Sequence, residues 1–511
     1  MYLVGAGPGD PELITVAGLA ALRQADVVVY DRLAPSALLR EAKPGALLID
    51  AGKAAGAHTL SQEAINALLV EHARAGRTVV RLKGGDPFLF GRGGEEALAL
   101  RRAGVPFRVV PGVSSAIAAP ACAGIPVTHR GVAGSVLIAT GHEAAEGPGA
   151  SFDWAALARA ADTLVFLMGV ERLPAITERL LAAGRPADQP AALIRWGSTP
   201  EQEVLTATLG TIAARARERG IRPPAALVVG EVVRLREELA WLEELPLFGA
   251  RVLVTRAREQ ASGLVARLRA LGAVPLEFPA IACEPLDDLA PLDAALVTLA
   301  EQDWVVFTSQ NGVTAAWERL TALGRDARAF ATAKVCAIGP ATAAALAARG
   351  IRADLVPETF TTAGVLAALR AADVAGRRVL LLRADIAPPE LAEGLRAAGA
   401  LVTSVAAYRT RDATHNQQEL ARLLAEGVDI VTFTSSSTVM RLVEALDGEI
   451  ARLGGALVAV IGPVTAAAAR AAGLRVDVEA REHTIDGLVA ALVETWPGRA
   501  GARAATGPHA G

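Results

Sequence analysis

The chain has 511 residues, room for about three folding units, and a formal charge of −3 that marks no nucleic-acid binder. No uninterrupted apolar run reaches the length of about 18 residues that a membrane span needs, and the opening residues lack a signal peptide's basic and apolar segments. The expectation is a cytoplasmic protein without nucleic-acid or membrane partners. Cys122, Cys283 and Cys336 lie far apart with no CxxC pair, and the seven histidines show no HxxxH or HExxH spacing. This spacing supports neither a disulfide framework nor zinc; buried thiols are the reading, and no protein-held metal is expected.

Met1-Tyr2-Leu3-Val4-Gly5 predicts an opening strand. Further β-branched runs, such as Val27–Tyr30, Val79–Leu82 and Val305–Thr308, alternate with Ala/Leu-rich helical stretches to the end of the chain. This is the pattern of an α/β protein built around mostly parallel sheets. After the first strand, Gly5-Ala6-Gly7-Pro8-Gly9-Asp10 superficially resembles a dinucleotide fingerprint. That fingerprint wants glycine where Asp10 stands, and Pro8 removes a backbone N–H, so a phosphate cradle is disfavoured. What remains is a turn bare of side chains, open to a bulky ligand edge.

Tyr30-Asp31-Arg32 follows the next strand. Taken alone, Asp31 reads as the N-cap of a helix from Leu33 to Arg40. The block from Arg81 to Glu96 holds five glycines and two arginines within sixteen residues, poor material for a core and suited to close backbone approach to a ligand. Two more strand-to-loop elements carry hydroxyls, Val110–Ser115 and Ile125–Arg130. Met168, taken alone, reads as core filler. Only four cations are lysines, and two of them, Lys53 and Lys83, fall inside these motifs.

In order, GAGPGDPELIT (5–15), VVYDRL (28–33), GK (52–53), RLKGGDPFLFGRGGEE (81–96), PGVSSA (111–116), GIPVTHR (124–130), LMG (167–169) and PPAALVVGEVV (223–233) resemble uroporphyrinogen-III C-methyltransferases of the tetrapyrrole methylase family. The resemblance covers about residues 1–245. It implies a two-lobed α/β fold, S-adenosylmethionine as cofactor, a homodimer, and transfer of two methyls to uroporphyrinogen III, giving precorrin-2 on the way to sirohaem and cobalamin. It places Pro8, Gly84, Gly85, Asp86, Leu89, Ser114, Ser115, Met168, Gly197 and Ala225 around the cofactor. Asp31 matches a proposed proton acceptor and Lys53 a proposed proton donor. Arg32, Lys83, Arg92 and Arg130 are our candidates for gripping the substrate's eight carboxylates. Two departures stand out: Ser114-Ser115 where many members have Thr then Ala or Ser, and Arg195-Trp196-Gly197 where others have Glu-Asn-Gly.

A charged, helix-like stretch from Arg234 to Glu244 leads to a boundary near Leu245–Gly249, and the second half then repeats itself. Arg251–Arg256 matches Arg378–Arg383, and each reaches a glycine (Gly272, Gly399) after the same interval. Val306–Ser309 matches Thr432–Ser435, and Ala337–Thr342 matches Val460–Thr465. Two similar α/β lobes are expected, with ligand between them near strand ends. The recurring hydroxyls, Thr308, Ser309, Thr434, Ser435 and Thr465, read either as helix caps or as carboxylate grips at helix N-termini, and both can hold at once. Arg256 and Arg383 end equivalent strands as candidate anion anchors. The Gly/Ala-rich tail, 498–511, is expected to be disordered.

FTSQNGV (307–313), AIGPATAAAL (337–346), TFTSSSTV (432–439) and the run from Val460 to Leu492 resemble uroporphyrinogen-III synthase over about 250–497. The resemblance implies one lobe from about 250–280 plus 410–495 and another from 281–409. It implies closure of hydroxymethylbilane with inversion of ring D and without a cofactor. Tyr408 matches a tyrosine credited with helping the hydroxyl depart. The alternative is a non-catalytic, two-lobed binding module fused to a methyltransferase.

Overall fold

The computed structural model describes the chain except residues 44, 53–59, 142–151, 256–257, 279–280, 285, 413–416, 426 and 497–511. The predicted tail and the side chains of Lys53 and Arg256 lie outside the described residues. Backbone contacts divide the chain into two compact units, one mainly Met1–Arg251 and the other mainly Val252–Ala266 with Pro275–Thr495.

In the first unit, β1 (Tyr2–Gly5), β2 (Val27–Tyr30), β3 (Leu47–Asp50), β4 (Val79–Lys83) and β5 (Arg108–Val110) form a parallel sheet in the order β3-β2-β4-β1-β5. Successive residues fall on opposite faces. Leu3, Val27, Val29 and Val79 pack into one cluster with Leu69 and Leu100; Val4, Val28, Val80 and Leu82 pack into another with Leu22 and Leu38. Both faces are thus covered by helices, as a parallel sheet requires. A second sheet contains β6 (Val136–Thr140), β7 (Thr163–Leu167), β8 (Pro190–Arg195), β9 (Glu203–Thr208) and β10 (Ala225–Val229), in the order β6-β7-β10-β8-β9.

Here the mostly parallel expectation fails locally. β10 runs antiparallel to both neighbours and β8 antiparallel to β9. The link between β8 and β9 is short, and only antiparallel strands can be joined without a crossover.

The second unit repeats one design. β11 (Arg251–Val254), β12 (Val274–Glu277), β13 (Ile281–Glu284), β14 (Trp304–Phe307), β15 (Lys334–Ala337), β16 (Arg378–Ala384), β17 (Leu401–Asp412), β18 (Ile430–Phe433), β19 (Leu457–Val460) and β20 (Val478–Glu479) make two sheets, β12-β11-β18-β19-β20 and β13-β17-β16-β14-β15. The end of the long β17 pairs antiparallel with β13. The duplication extends to single bonds. Asp354 accepts the Val335 N–H at 2.7 Å, and Asp477 accepts that of Val458 at 2.9 Å. Gly339-Pro340 and Gly462-Pro463 each open a helix, with proline placed where no N–H is missed.

Two helix expectations need correction. The helix after Asp31 is only Ser36–Leu39, because Pro35 holds Ala34 out of helical conformation. The stretch from Arg234 to Glu244 holds only the end of a 3-10 turn, Glu231–Leu235, and one α turn, Arg236–Leu239; the residues beyond it are not helical.

Candidate functional site

Three glycine backbones build the floor of a cleft in the first unit. The loops after β1 and β4 interlock: Gly85 N–H donates to Gly7 O at 2.7 Å and Ala6 N–H to Lys83 O at 2.7 Å. A Cβ on Gly112 would stand 2.2 Å from Gly85 O and 2.7 Å from Gly5 Cα, so no side chain fits there. Asp86 fastens the assembly. Its Oδ1 accepts the N–H groups of Phe88 (2.8 Å) and Leu89 (3.1 Å), and its Oδ2 accepts that of Gly112 (2.9 Å). Ser114 then caps helix Ser115–Cys122 by accepting from Ala116 N–H at 3.2 Å.

The opposite wall comes from the second sheet. Leu167 ends β7 and Met168 follows it, Trp196-Gly197 follows β8, and Pro223-Pro224, joined by a cis peptide, leads into Ala225 of β10. A Cβ on Gly197 would lie 2.4 Å from Ala119 Cβ, which keeps this turn tight against helix Ser115–Cys122. Met168 and Trp196 both adopt left-handed backbone conformations, φ 54° and 49°. Such strain in non-glycine residues marks ligand sites more often than cores. Met168 is half exposed to the cleft rather than core filler.

The cavity has a volume of about 390 Å³. All ten residues expected around the cofactor line it: Pro8, Gly84, Gly85, Asp86 and Leu89 from the first-sheet loops, Ser114 and Ser115 from the helix start, Met168, Gly197 and Ala225 from the second sheet. Arg32 lines it too. Phe90, Glu171 and Trp196 also line it and were not anticipated as site residues, although the Arg195-Trp196-Gly197 departure pointed to the last.

The other candidates fall elsewhere. Asp31 does not cap a helix; its carboxylate is gripped by Arg81 and lies 3.6 Å from Lys83 Nζ. Lys83, expected to hold a substrate carboxylate, is instead buried on the central strand β4 with Nζ donating to Glu96 Oε1 at 3.0 Å. A buried cation keeps its carboxylate partner rather than reach for a ligand. Arg92, at the start of helix Gly93–Arg102, is exposed and pairs with Glu95 at 2.8 Å; Arg130 is exposed on a turn.

In the second unit Thr308 and Ser309 follow β14, and Ser309 caps helix Gln310–Ala322. Its Oγ lies 3.1 Å from the Tyr408 hydroxyl. Thr434 and Ser435 stand at the equivalent place after β18, with Ser435 capping helix Ser436–Ala445. Arg383 spends one Nη on Pro388 O at 2.7 Å. Thr465, expected to grip substrate, is buried in helix Pro463–Ala471, as its counterpart Thr342 is in Pro340–Ala347. In both lobes this threonine packs inside the helix–sheet layer, out of reach of a ligand.

Comparison with known proteins matches residues 1–213 to the tetrapyrrole (corrin/porphyrin) methylases and residues 262–490 to uroporphyrinogen-III synthase HemD. A porphyrin biosynthesis protein HemD of Ruminiclostridium josui is 40% identical over 499 residues, 97% of this chain and 98% of its own. A uroporphyrinogen-III C-methyltransferase of Methanocaldococcus jannaschii is 52% identical over 236 residues, 46% of this chain and 97% of its own. The chain spans about half the length, 52%, of the siroheme synthase of Stutzerimonas stutzeri, with 51% identity over 243 residues. A solved uroporphyrin-III C-methyl transferase of Thermus thermophilus, complexed with S-adenyl homocysteine, is 45% identical over 46% of this chain and 98% of its own, TM-score 0.40.

Proposed function

This chain is a fusion of a tetrapyrrole methylase with a uroporphyrinogen-III synthase of the HemD family, a bifunctional enzyme of tetrapyrrole biosynthesis, and from that premise we propose the following division of work. The second unit closes hydroxymethylbilane to uroporphyrinogen III with inversion of ring D. The first unit methylates that product twice with S-adenosylmethionine, giving precorrin-2. The observation that carries the reading is the convergence of ten residues from well-separated stretches of the chain on one cleft.

The cleft suits S-adenosylmethionine. Gly84, Gly85 and Gly197 line it with bare backbone, which leaves room for a flat heterocycle, while Met168, Leu89 and Ala225 supply apolar surface. Glu171 adds an acidic group to the same wall, suited to a ribose hydroxyl or an ammonium. When bound, the cofactor supplies an electrophilic methyl on a sulfonium. The protein's share is to align that methyl with an electron-rich pyrrole carbon and keep water away. The methylated ring is cationic. Asp31, paired with Arg81, opposes that charge and takes up the proton that the cationic macrocycle sheds. Lys53 is the companion donor, and Arg32 the cleft arginine that meets a substrate carboxylate.

In the second unit the chemistry asks for less. A hydroxymethyl pyrrole ionises readily, so folding the open chain correctly matters more than acid strength. Tyr408 with Ser309 assists the departing hydroxyl, while Thr308, Thr434, Ser435, Arg256 and Arg383 grip acetate and propionate groups. Feeding hydroxymethylbilane alone and determining the product isomer tests this half. Uroporphyrinogen III supports the synthase; isomer I only, the spontaneous product, would reduce this unit to a binding module.

A further inference from the structure

Four charged side chains from three elements meet under the cleft. Arg81 and Lys83, two residues apart on β4, point to the same face of the sheet. Arg81 stands in register with Leu3 of β1 and Val29 of β2, so it sits mid-sheet and is only 2% exposed. Its Nε donates to Glu96 Oε1 at 3.0 Å, one Nη to Val29 O at 3.3 Å, and the other Nη to Asp31 Oδ1. Lys83 Nζ also donates to Glu96 Oε1, at 3.0 Å. Glu96, on helix Gly93–Arg102, is fully buried, and its Oε2 has no hydrogen-bond partner among the described residues. Only Asp31 keeps an open side, at 31% exposure, and it precedes Arg32 and Leu33 of the cleft lining.

We propose that Arg81, Lys83 and Glu96 are positioning residues that present Asp31 as an oriented carboxylate for methyl transfer. The inference rests on the reading of Asp31 as proton acceptor. Burying several ions is costly, and a core that needed only stability would do as well with apolar residues. Here two cations face two carboxylates, one of them sealed. Without Glu96 both cations would turn to Asp31 alone and draw its carboxylate out of line. Without Lys83, the second Asp31 oxygen would lose the cation 3.6 Å from it and could swing out of line. In the step served, the methylated carbon already bears an acid side chain and has no hydrogen, so the proton leaves the adjoining bridging methylene. That C–H bonding pair neutralises the cationic ring, and the proton passes to an Asp31 oxygen, later to water. The network itself transfers nothing.

Among the described residues, other charged groups around Asp31 are few. Arg32 adjoins it in the chain and Asp50 ends the neighbouring β3. Arg92 and Glu95 pair with each other on the helix of Glu96, and Glu63 lies near Arg92. Gln62 Nε2 reaches Glu96 Oε1 at 3.4 Å.

The test is kcat for methylation of uroporphyrinogen III by the full chain, with S-adenosylmethionine binding measured alongside. Glu96→Gln and Lys83→Met should each lower kcat about tenfold, with cofactor binding and cofactor KM unchanged. A purely structural role would weaken cofactor binding together with kcat. Asp31→Asn should lower kcat about 10²-fold or more. If Asp31→Asn keeps wild-type kcat, the proton-acceptor reading fails and this inference with it. If Asp31→Asn loses kcat but Glu96→Gln and Lys83→Met both keep it, the network alone is overturned. Should a single variant not fold, the charge-matched Lys83→Met/Glu96→Gln protein decides. A kcat about tenfold lower at unchanged cofactor KM supports the positioning role; wild-type kcat refutes it.

Discussion

Ser309 Oγ lies 3.1 Å from the hydroxyl of Tyr408 and accepts the Gly312 N–H at 3.0 Å, so one hydroxyl both caps a helix and braces a phenol ninety-nine residues away. Tyr408→Phe should lower the synthase kcat by up to about 10²-fold, the lower end of a positioned proton donor's contribution. Ser309→Ala should cost about 1 kcal/mol through the lost cap and raise the share of isomer I. Quenched assays with isomer separation, beside thermal unfolding, check both. Unchanged rate and isomer ratio in Tyr408→Phe would remove the tyrosine from the mechanism.

Asp86 serves the cleft through its loops. With three backbone N–H groups pointed at its carboxylate, Asp86→Ala leaves donors unsatisfied at about 1–3 kcal/mol. Asp86→Asn substitutes a donor for one acceptor and should be nearly as harmful. Calorimetric titration with S-adenosylmethionine should show at least tenfold weaker binding in both. Tight binding by Asp86→Ala would mean the loops hold their shape without it.

Gly112→Ala places a methyl where Gly85 O and Gly5 Cα already stand, 2.2 and 2.7 Å away. Both neighbours are backbone and cannot turn aside, so the cost should reach about 3 kcal/mol, the upper range of overpacking. A lowered denaturation midpoint together with lost cofactor binding is expected. A wild-type midpoint would contradict the close packing of the three glycines.

The thiols give a pH prediction. Burial pushes Cys122 up to about 11, with Asp10 and Glu243 adding to the effect, and pushes Cys336 up to about 12. Folding therefore favours the protonated thiols. Their contribution is complete below the unfolded value near 9.0 and is lost as pH rises toward 11 and 12. At pH 8 neither should react with iodoacetamide in the native protein, and both should label on unfolding, as peptide mass mapping would show. Rapid native labelling of Cys336 would contradict its burial.

Much of the cleft was legible because its requirements are local. Where backbones must touch, as at Gly5 and Gly112, only glycine serves, and the sequence displays that directly. The duplicated lobes were legible because each repeats the same strand-end chemistry at the same spacing. Long-range electrostatics was not. Arg81 and Lys83 in Val79-Val80-Arg81-Leu82-Lys83 look like the solvent side of an alternating strand, and only the fold brings Glu96 and Asp31 to them. The burial of Thr465 likewise depends on helix packing that no local pattern reports.

The central claim is that one chain performs two successive steps on one tetrapyrrole. The most direct test supplies the full chain with hydroxymethylbilane and S-adenosylmethionine under anaerobic conditions and identifies the product by mass and isomer type. We expect a type III macrocycle carrying two added methyl groups, with two S-adenosylhomocysteines formed per product. An unmethylated product, or isomer I alone, would contradict the account.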